Sequence, residues 1–295
     1  MQIGIGTYSF GGIESYLGMG PSLLEKFKKA KSLGFDFVEL LPVDLDNDVE
    51  DIKKWLDETG LYVTSVHAEP SEEIVKKMAA LGGKAVIWAG TEFNCKEEAI
   101  AVAKKLDAWA EMAEPYGIKI GYHNHEKEFY FDQGKTLEEH LLDNSSKCFI
   151  QLDCGWAQFG GMYPPYFIRK YKNRICAIHV KENCKVNGPG PQPASAASVE
   201  NAPKGGPFGD VSVMPMEKKL EILEQFKAMM AGTDPRTEPQ CKMGAPESNM
   251  NWQEIKNALD EQDFEAFWVV EREKFYADHD QCLAEDAAYV KNNVK

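Results

Sequence analysis

The sequence lacks several features that would assign it to a membrane or disulfide-rich class. No apolar run approaches the roughly 18 residues of a membrane-spanning helix, and its first residues show no charged leader followed by a long apolar segment. The seven cysteines are an odd number and form no Cys-x-x-Cys pair. This pattern favours free thiols in a reducing compartment, so we expect a cytoplasmic protein without a membrane segment.

Basic residues are outnumbered by acidic ones, 33 against 47, which gives a net charge of −14. A phosphate backbone would repel such a chain, and no basic cluster with interleaved aromatic residues opposes that repulsion. We therefore expect no nucleic-acid partner. The glycines near the first apolar run also form no Gly-x-Gly-x-x-Gly turn, which argues against a dinucleotide-binding sheet.

What the sequence does contain is a regular alternation of short apolar runs with amphipathic stretches. The runs predict eight strands, at residues 2–6, 36–41, 61–67, 84–88, 118–123, 148–153, 175–181 and 266–271. Helical spacing between them predicts helices over about 21–33, 48–59, 96–115, 135–143 and 278–291, with another starting after Ser71. Eight such units, with continuously apolar strands, favour a (β/α)8 TIM barrel formed by 1–295 as a single domain.

The alternation is interrupted once, after strand seven. Residues 183–250 form a long insertion whose first half is rich in glycine, proline, alanine and serine. Its second half, about 216–231, has the pattern of an additional amphipathic helix. Because the insertion leaves the carboxyl end of a barrel strand, we expect it over the barrel mouth, where it could serve as a lid, as a partner surface or as neither.

Side chains that can bind metals occur at the ends of four consecutive strands. Because the carboxyl ends of barrel strands face one mouth, and neighbouring strands lie about 4.8 Å apart, these ends can converge on one ion. The alternative is four unrelated polar strand ends. The residues, in strand order, are His123 and His125, Asp153, His179 and Lys181, and Glu271. Imidazoles combined with carboxylates favour one divalent ion, Mn²⁺ first, then Zn²⁺, Co²⁺ or Fe²⁺, with Mg²⁺ less natural.

The order of these strand ends resembles the xylose isomerase-like TIM barrels. Two segments carry the resemblance, Leu-Asp-Cys-Gly-Trp156 and Ile-His-Val-Lys-Glu182. Within these barrels the chain is most similar to the sugar phosphate isomerase/epimerase family. Gly34-Phe-Asp-Phe-Val-Glu39 resembles its Gly-x-x-x-Val-Glu pattern, and 244–252 resembles its Gly-x-x-Asp-Trp segment with Asn251 in place of the acid. The resemblance implies metal-dependent chemistry on a sugar, keto-sugar or cyclitol.

The chain departs from the epimerases of this family at strand five. They usually carry Glu-Asn-His there, whereas this sequence reads His123-Asn124-His125. Aligning the triplets places His123 at the ligand position, beside Asp153, His179 and Glu271, with His125 behind it. An epimerisation that uses one glutamate on strand five and another on strand eight is thereby in doubt. The sequence also resembles a subgroup with His-Asn-His or His-Pro-His and, among its relatives, keto-inositol dehydratases.

General chemistry assigns roles to these residues. A divalent ion that chelates a carbonyl and its neighbouring hydroxyl acidifies the α-proton by stabilising an enediolate. Glu271 is then the candidate base, His125 the second acid/base, and Lys181 a donor to a developing alkoxide. Further candidates for substrate binding are Glu39, His67, Trp88, Trp156 and Tyr8, while Glu126 and Glu128 are candidates to orient the histidines.

The leading hypothesis is an isomerase or epimerase that acts through an enediolate. The alternative within enzymes is a lyase or dehydratase, including one that cleaves a keto-glycoside or C-glycoside with a partner subunit. An apurinic endonuclease shares this barrel but needs a basic surface, and a barrel that binds sugars without catalysis is the remaining alternative. We expect an unphosphorylated substrate, since no phosphate cradle is visible, and the resemblance allows a homodimer.

Overall fold

A closed ring of eight parallel strands organises the protein. The computed structural model describes residues 1–89, 93–188, 211, 213–230 and 241–295. The ring runs β1-β8-β7-β6-β5-β4-β3-β2 and closes because β1 pairs with both β2 and β8. Its strands are β1 (Gly4–Gly6), β2 (Phe37–Leu40), β3 (Tyr62–His67), β4 (Ala85–Trp88), β5 (Lys119–His123), β6 (Phe149–Asp153), β7 (Ile175–Val180) and β8 (Phe267–Val270). The predicted (β/α)8 barrel is thus confirmed.

Helices surround the strands, and the longer ones begin and end close to the predicted residues. Three short helices, α1, α7 and α8, were not predicted. Helices α1 and α7 have four and six residues, too few to show a helical repeat, and α8 begins with two prolines. The helices are α1 (Ile13–Tyr16), α2 (Leu23–Ser32), α3 (Val49–Thr59), α4 (Glu72–Ala80), α5 (Lys96–Ala113), α6 (Leu137–Asp143), α7 (Cys154–Phe159), α8 (Pro164–Lys170), α9 (Met216–Met230), α10 (Trp252–Asp260) and α11 (His279–Asn293). Among the described residues, no helix has the length and apolar character needed to cross a membrane.

Local capping explains where several helices begin and end. Ser22 accepts a hydrogen bond from the Glu25 backbone N–H while the Glu25 carboxylate accepts one from the Ser22 backbone, so α2 begins with a capping box. Thr136 and Glu139 make the same pair at α6. Helix α3 ends at Gly60, whose left-handed backbone (φ 64°) a residue with a side chain would adopt only with strain.

Strand alternation separates an apolar barrel floor from a polar mouth. Successive residues of a strand point to opposite faces, so every second residue of β6, Phe149, Gln151 and Asp153, shares one face. At the floor, Phe149 packs with a buried cluster that includes Ile87 and Ala177. Two residues further along, the same faces carry Gln151 on β6 and His179 on β7, both polar and buried. The sheet therefore brings ionisable side chains together on an apolar base.

Helix α9 of the insertion packs on α1. Ile222 and Leu223 of α9 join Ile13 and Leu17 in a small hydrophobic cluster separate from the main core. A salt bridge of 3.0 Å between Lys227 Nζ and Glu14 Oε1, both largely exposed, lies beside this cluster. The predicted additional helix is present at 216–230. Most of the Gly/Pro-rich half, at 189–210, and residues 231–240 lie outside the described residues.

Candidate metal centre and active site

Four candidate metal ligands converge at the mouth of the barrel. One donor atom from each of His123, Asp153, His179 and Glu271 lies within 4.8 Å of the other three. The register explains the convergence, because Asp153 of β6 is directly opposite His179 of β7, and His123 of β5 is opposite Gln151 of β6. The chain thus assembles two imidazoles and two carboxylates at one point.

The bonding state of these side chains fits a bound cation. His123 Nδ1 and Asp153 Oδ2 are both buried and have no hydrogen-bond partner among the described residues. An unsatisfied buried acceptor is costly, and a metal ion would satisfy both atoms at once. Burial and the neighbouring histidines hold the pKa of His123 well below its usual range, so the imidazole is neutral. The neutral form is the one that binds metals.

The other three candidate ligands, Asp153, Glu271 and His179, all have shifted pKa values. Burial raises the pKa of the Asp153 carboxyl to about 7, and Lys181 opposes this rise. Burial would also raise the pKa of Glu271, but Lys181 and His179 outweigh it and hold that pKa well below its usual range. For His179, burial would lower the pKa, yet Glu271 and Glu39 raise it to about 10. A cation would therefore displace a proton from His179 on binding.

A buried polar network lies behind His179. The Nε2 atom of this residue is 2.8 Å from Glu39 Oε1, while Nδ1 is 2.5 Å from Glu271 Oε2. Ser65 Oγ and Gln151 Nε2 donate to Glu39 Oε2 over 2.6 and 2.5 Å. Although burial opposes it, the neighbouring His67 and His179 lower the pKa of Glu39 to about 2. The sequence placed Glu39 among the substrate-binding candidates. In the structure its carboxylate pairs with the candidate ligand His179.

His67 lies beside the candidate ligands and forms a second cluster with two of them. One nitrogen each of His67, His123 and His179 lies within 4.8 Å of the others. His67 Nε2, however, is 2.5 Å from Gln151 Oε1 and 3.2 Å from Glu39 Oε1. Because these partners occupy that nitrogen, the set with two carboxylates is the better candidate centre. The His67 ring stacks on that of His179, with centroids 5.2 Å apart.

The His-Asn-His segment presents both histidines to the same cavity. The ring centroids of His123 and His125 are 5.1 Å apart, and both residues line the cavity. Asn124 points to the neighbouring strand, where its side chain accepts from the Asp153 N–H (3.0 Å) and donates to the Asp153 carbonyl (3.2 Å). Glu128 accepts from the His125 N–H over 2.8 Å. This glutamate therefore holds the backbone of His125, and the structure shows no contact of its carboxylate with the ring.

Lys181 lies at the buried edge of the cluster. Its Nζ is 3.9 Å from Asp153 Oδ2, 4.0 Å from Glu271 Oε2 and 3.0 Å from Glu273 Oε1. Burial would lower the pKa of Lys181, but these three carboxylates raise it, so the ammonium stays charged. The Trp156 ring lies beneath it, 4.6 Å from Nζ. Trp156 is not among the described residues that line the cavity, and its contact with a sugar ring stays a prediction.

A cavity of about 880 Å³ opens above the candidate ligands. His123, His179 and Glu271 lie at its inner end, and Tyr8 and Trp88 are also among its lining residues. Burial and the nearby Glu273 and Glu271 raise the pKa of Tyr8, which keeps its hydroxyl protonated and able to donate. A cavity of this size is in the upper part of the range for small-molecule sites, about 300–1,000 Å³.

Two sequence segments near the site have mainly structural roles. In Leu-Asp-Cys-Gly-Trp156, a Cβ at Gly155 would lie 2.6 Å from the Lys181 carbonyl oxygen, so the glycine lets α7 approach the end of β7. In the segment ending at Trp252, Asn251 caps α10 by accepting from the Glu254 N–H (3.0 Å), and Trp252 Nε1 donates to Glu182 over 3.1 Å. Asn251 therefore takes over the capping role that an aspartate at this position could also fill.

Three residues near the site were not singled out from the sequence. Gln151 links Glu39 to His67, and Glu273 pairs with Lys181. Gln151 is two residues before Asp153, so alternation along the strand could have placed it on the same face. Ser65 is likewise two residues before His67. Glu273 lies beyond β8, where alternation gives no guide.

The sequence matches the family model described as xylose isomerase-like TIM barrel over residues 27–292. The chain belongs to this family. The xylose isomerase-like barrel predicted from the strand-end residues is thereby confirmed. No reviewed protein sequence matches the chain significantly.

Several solved structures share the fold of this xylose isomerase-like barrel. One is a sugar phosphate isomerase/epimerase from Parabacteroides distasonis, with 20% identity, a TM-score of 0.65 and coverage of 99% of this chain and 94% of that one. Another is the probable 3-DHS dehydratase of Bacillus anthracis, with 14% identity, a TM-score of 0.62 and coverage of 99% and 100%. A third is the 3-keto-D-glucoside 4-epimerase of E. coli, with 14% identity, a TM-score of 0.61 and coverage of 99% of each chain.

Proposed function

We propose that this protein is a divalent-metal-dependent isomerase or epimerase that acts on a sugar, keto-sugar or cyclitol through an enediolate. The observation that carries the proposal is the convergence of His123, Asp153, His179 and Glu271 within 4.8 Å. Two of their donor atoms, on His123 and Asp153, are buried without a hydrogen-bond partner among the described residues. The similar structures include sugar epimerases and a dehydratase, which agrees with this chemistry.

The four residues would hold one ion, for which Mn²⁺ is our first choice and Zn²⁺, Co²⁺, Fe²⁺ and Mg²⁺ are alternatives. Such an ion would polarise a substrate carbonyl and the adjacent hydroxyl and so acidify the proton between them. Glu271 is 15% exposed, the largest exposure among the four, and its lowered pKa keeps it ionised. It can therefore accept that proton while its other oxygen faces the ligand cluster.

His125 and Lys181 complete the proposed machinery. His125 lines the cavity beyond the end of β5, two strands away from the β7–β8 edge that presents Glu271. It is placed to return a proton from a different side of the substrate. The charged Lys181 beside Asp153 and Glu271 would stabilise negative charge that develops on a substrate oxygen.

A lyase or dehydratase is the second candidate, and one observation favours it. The strand-five residue in the cluster is His123, so the centre lacks a carboxylate at that position and relies on His125 beside it. Removal of the same α-proton followed by loss of a β-substituent gives elimination. The two reactions differ in their products, because an epimerase leaves the mass of the substrate unchanged.

Seven unpaired cysteines fit a reducing compartment, and we propose that the enzyme works in the cytoplasm.

The test begins with the metal content of the purified protein and of Asp153→Ala and His179→Ala. We expect about one Mn, Zn, Co or Fe per chain in the wild type and none in the variants. The metal-loaded wild type is then incubated with ketoses, keto-glycosides and keto-inositols in D₂O, and α-proton exchange is followed by NMR. A wild type that takes up no metal even after loading would refute the proposal. Exchange with loss of mass would identify the lyase.

A further inference from the structure

The cavity above the candidate metal centre has two chemically different ends. Its inner end is polar and ends at the histidines and Glu271. Its outer end lies between the segments that follow β1, β2 and β3 and the insertion helix α9. The same segments contribute the polar Asp46, Glu73 and Lys77, but most of the side chains there are apolar or aromatic, among them Ile13, Tyr16, Leu41, Val43, Ile74 and Phe226. We call these six residues the outer compartment.

The outer compartment is built into the fold. Leu41 and Ile13 are buried, at 4% and 7% exposure. Phe226 is on α9, which is fixed to α1 by the cluster of Leu17, Ile222 and Leu223. The insertion therefore supplies one wall, the segment with Ile74 at the start of α4 supplies another, and the space between them is continuous with the centre.

The charges of the cavity indicate a neutral occupant. Lys77 is the only lysine or arginine among the described lining residues. Its Nζ is 2.8 Å from Glu73 Oε1 and 3.1 Å from the Leu45 carbonyl oxygen, so two of its three N–H donors already have partners. The same lining includes six acidic residues: Glu39, Asp46, Glu69, Glu73, Glu271 and Glu273. Lys77, Lys105, Lys181 and His179 pair with five of these six carboxylates, and a phosphate at the outer end would find no lysine or arginine in the described lining except the paired Lys77.

The volume of the cavity favours an occupant larger than a single sugar ring. About 880 Å³ is the volume of a site for a drug-sized molecule and exceeds what a single sugar ring needs to fill. Apolar walls stabilise a ligand in proportion to the apolar area that it buries there. A monosaccharide or its phosphate has little such area to offer.

We propose that the outer compartment binds a neutral aryl or alkyl group attached to the reacting sugar, so that the substrate is an unphosphorylated glycoside or an equivalent sugar conjugate. This inference rests on the proposed function for the position of the sugar at the inner end. It adds the chemical class of the group beyond the sugar.

Binding is measured by isothermal titration calorimetry on the Mn²⁺-loaded wild-type protein. The probes are the methyl and phenyl β-glycosides of glucose, galactose and xylose, together with glucose 6-phosphate. We expect the phenyl glycoside of the tightest pair to bind about tenfold more tightly than its methyl counterpart, with a more negative heat-capacity change, because it buries a ring. Equal affinity within every pair, or tighter binding of the sugar phosphate, would overturn the inference.

Variants of the outer compartment test where the phenyl group binds. Phe226→Ala on α9 and Ile74→Ala on α4 should each reduce the phenyl advantage to less than threefold without changing the affinity for the methyl glycoside. Leu220→Ala is the matched control, because Leu220 is on α9 but 46% exposed. If Phe226→Ala disturbs α9, Ile74→Ala tests the opposite wall independently. An unchanged phenyl advantage in folded variants of both would refute the assignment.

Combining the two experiments on the same protein distinguishes this inference from the proposed function. If D₂O exchange occurs with simple sugars and the phenyl group adds no affinity, the function stands and the outer compartment does not. If phenyl glycosides bind more tightly but no sugar or keto-glycoside exchanges its α-proton, the compartment stands and the isomerase proposal does not.

Discussion

Glu39 lies directly behind His179, with its Oε1 2.8 Å from the ring Nε2. The other ring nitrogen, Nδ1, faces Glu271 and the candidate metal position. A carboxylate on the far nitrogen fixes the ring orientation and makes the imidazole a better ligand.

Replacing Glu39 with glutamine should therefore weaken metal binding by about 10- to 100-fold, because the charge behind the imidazole is lost while its shape is kept. The dissociation constant is measured by competition with a chromogenic chelator. Glu50→Gln is the control, since it also removes one negative charge but from a side chain that is 78% exposed. Equal affinity in wild type and Glu39→Gln would show that His179 does not depend on this partner.

Asp153 uses its two oxygens for different purposes, which allows them to be separated. Oδ1 accepts from the Trp156 N–H over 2.8 Å and caps α7, whereas Oδ2 is buried and accepts no hydrogen bond from the described residues. Asp153→Asn should keep the cap and lose the metal, whereas Asp153→Ala should lose both. We expect the alanine variant to be less stable than the asparagine variant by about 0.5–2 kcal/mol, the usual cost of a lost cap. Metal analysis and urea unfolding of the metal-free proteins test this.

Removing the His125 side chain should separate metal binding from turnover. His125→Ala leaves the four candidate ligands intact, so we expect full metal content with turnover reduced by about 10²- to 10⁴-fold, the usual contribution of a general acid or base. His123→Ala is the matched variant and should lose both. Loss of metal in His125→Ala would instead make His125 a ligand.

The alternation of side chains along strands made much of the site predictable. Once eight strands were placed, their ends identified six candidates without any knowledge of the packing: His123, His125, Asp153, His179, Lys181 and Glu271. The family resemblance then assigned the ligand position on β5 to His123 rather than His125. The link between Glu39 and His179 could not be foreseen, because it joins residues 140 positions apart across the barrel. Nor could the sequence show that Trp156 would lie under Lys181, since a six-residue helix gives no periodic signal.

Glu138 should make the protein less stable as the pH rises. Its side chain is fully buried, and neither of its carboxylate oxygens has a hydrogen-bond partner among the described residues. Burial and the nearby Glu128 raise its pKa well above 4.5. The folded state therefore binds a proton more tightly than the unfolded state, so this contribution to stability is complete at acid pH and is lost as the pH rises above 4.5.

Glu138→Gln should accordingly match the wild type near pH 4 and exceed it at pH 8. The gain should grow by at most about 1.4 kcal/mol per pH unit until the folded-state pKa is reached. Urea unfolding at several pH values measures the difference. Glu111→Gln, at a side chain that is 66% exposed, should change stability by less than about 0.5 kcal/mol at every pH. A Glu138→Gln difference that does not depend on pH would contradict the expectation.

Arg272 and Asp286 form a buried pair that ties three segments together. The guanidinium donates to both carboxylate oxygens, over 2.6 and 2.9 Å, and also to the carbonyl of Cys241 (3.2 Å). Truncating one partner leaves the other charge buried alone, so Arg272→Ala or Asp286→Ala should each cost about 3–5 kcal/mol. In the double variant the two costs should not add, because the second change removes a charge that the first has already isolated. Additive losses in denaturant unfolding would show that the two residues act independently.

The closure of the ring by β8 also sets the order in which the protein can become complete during synthesis. β8 and Glu271 follow the other seven strands in the chain, and β8 joins β7 on one side and β1 on the other. A nascent chain that ends before β8 has an open sheet with unpaired edges at β1 and β7 and three of the four candidate ligands. Open edges are sites of aggregation, so a chain truncated before β8 should aggregate, whereas pairing of β8 with both neighbours removes these edges.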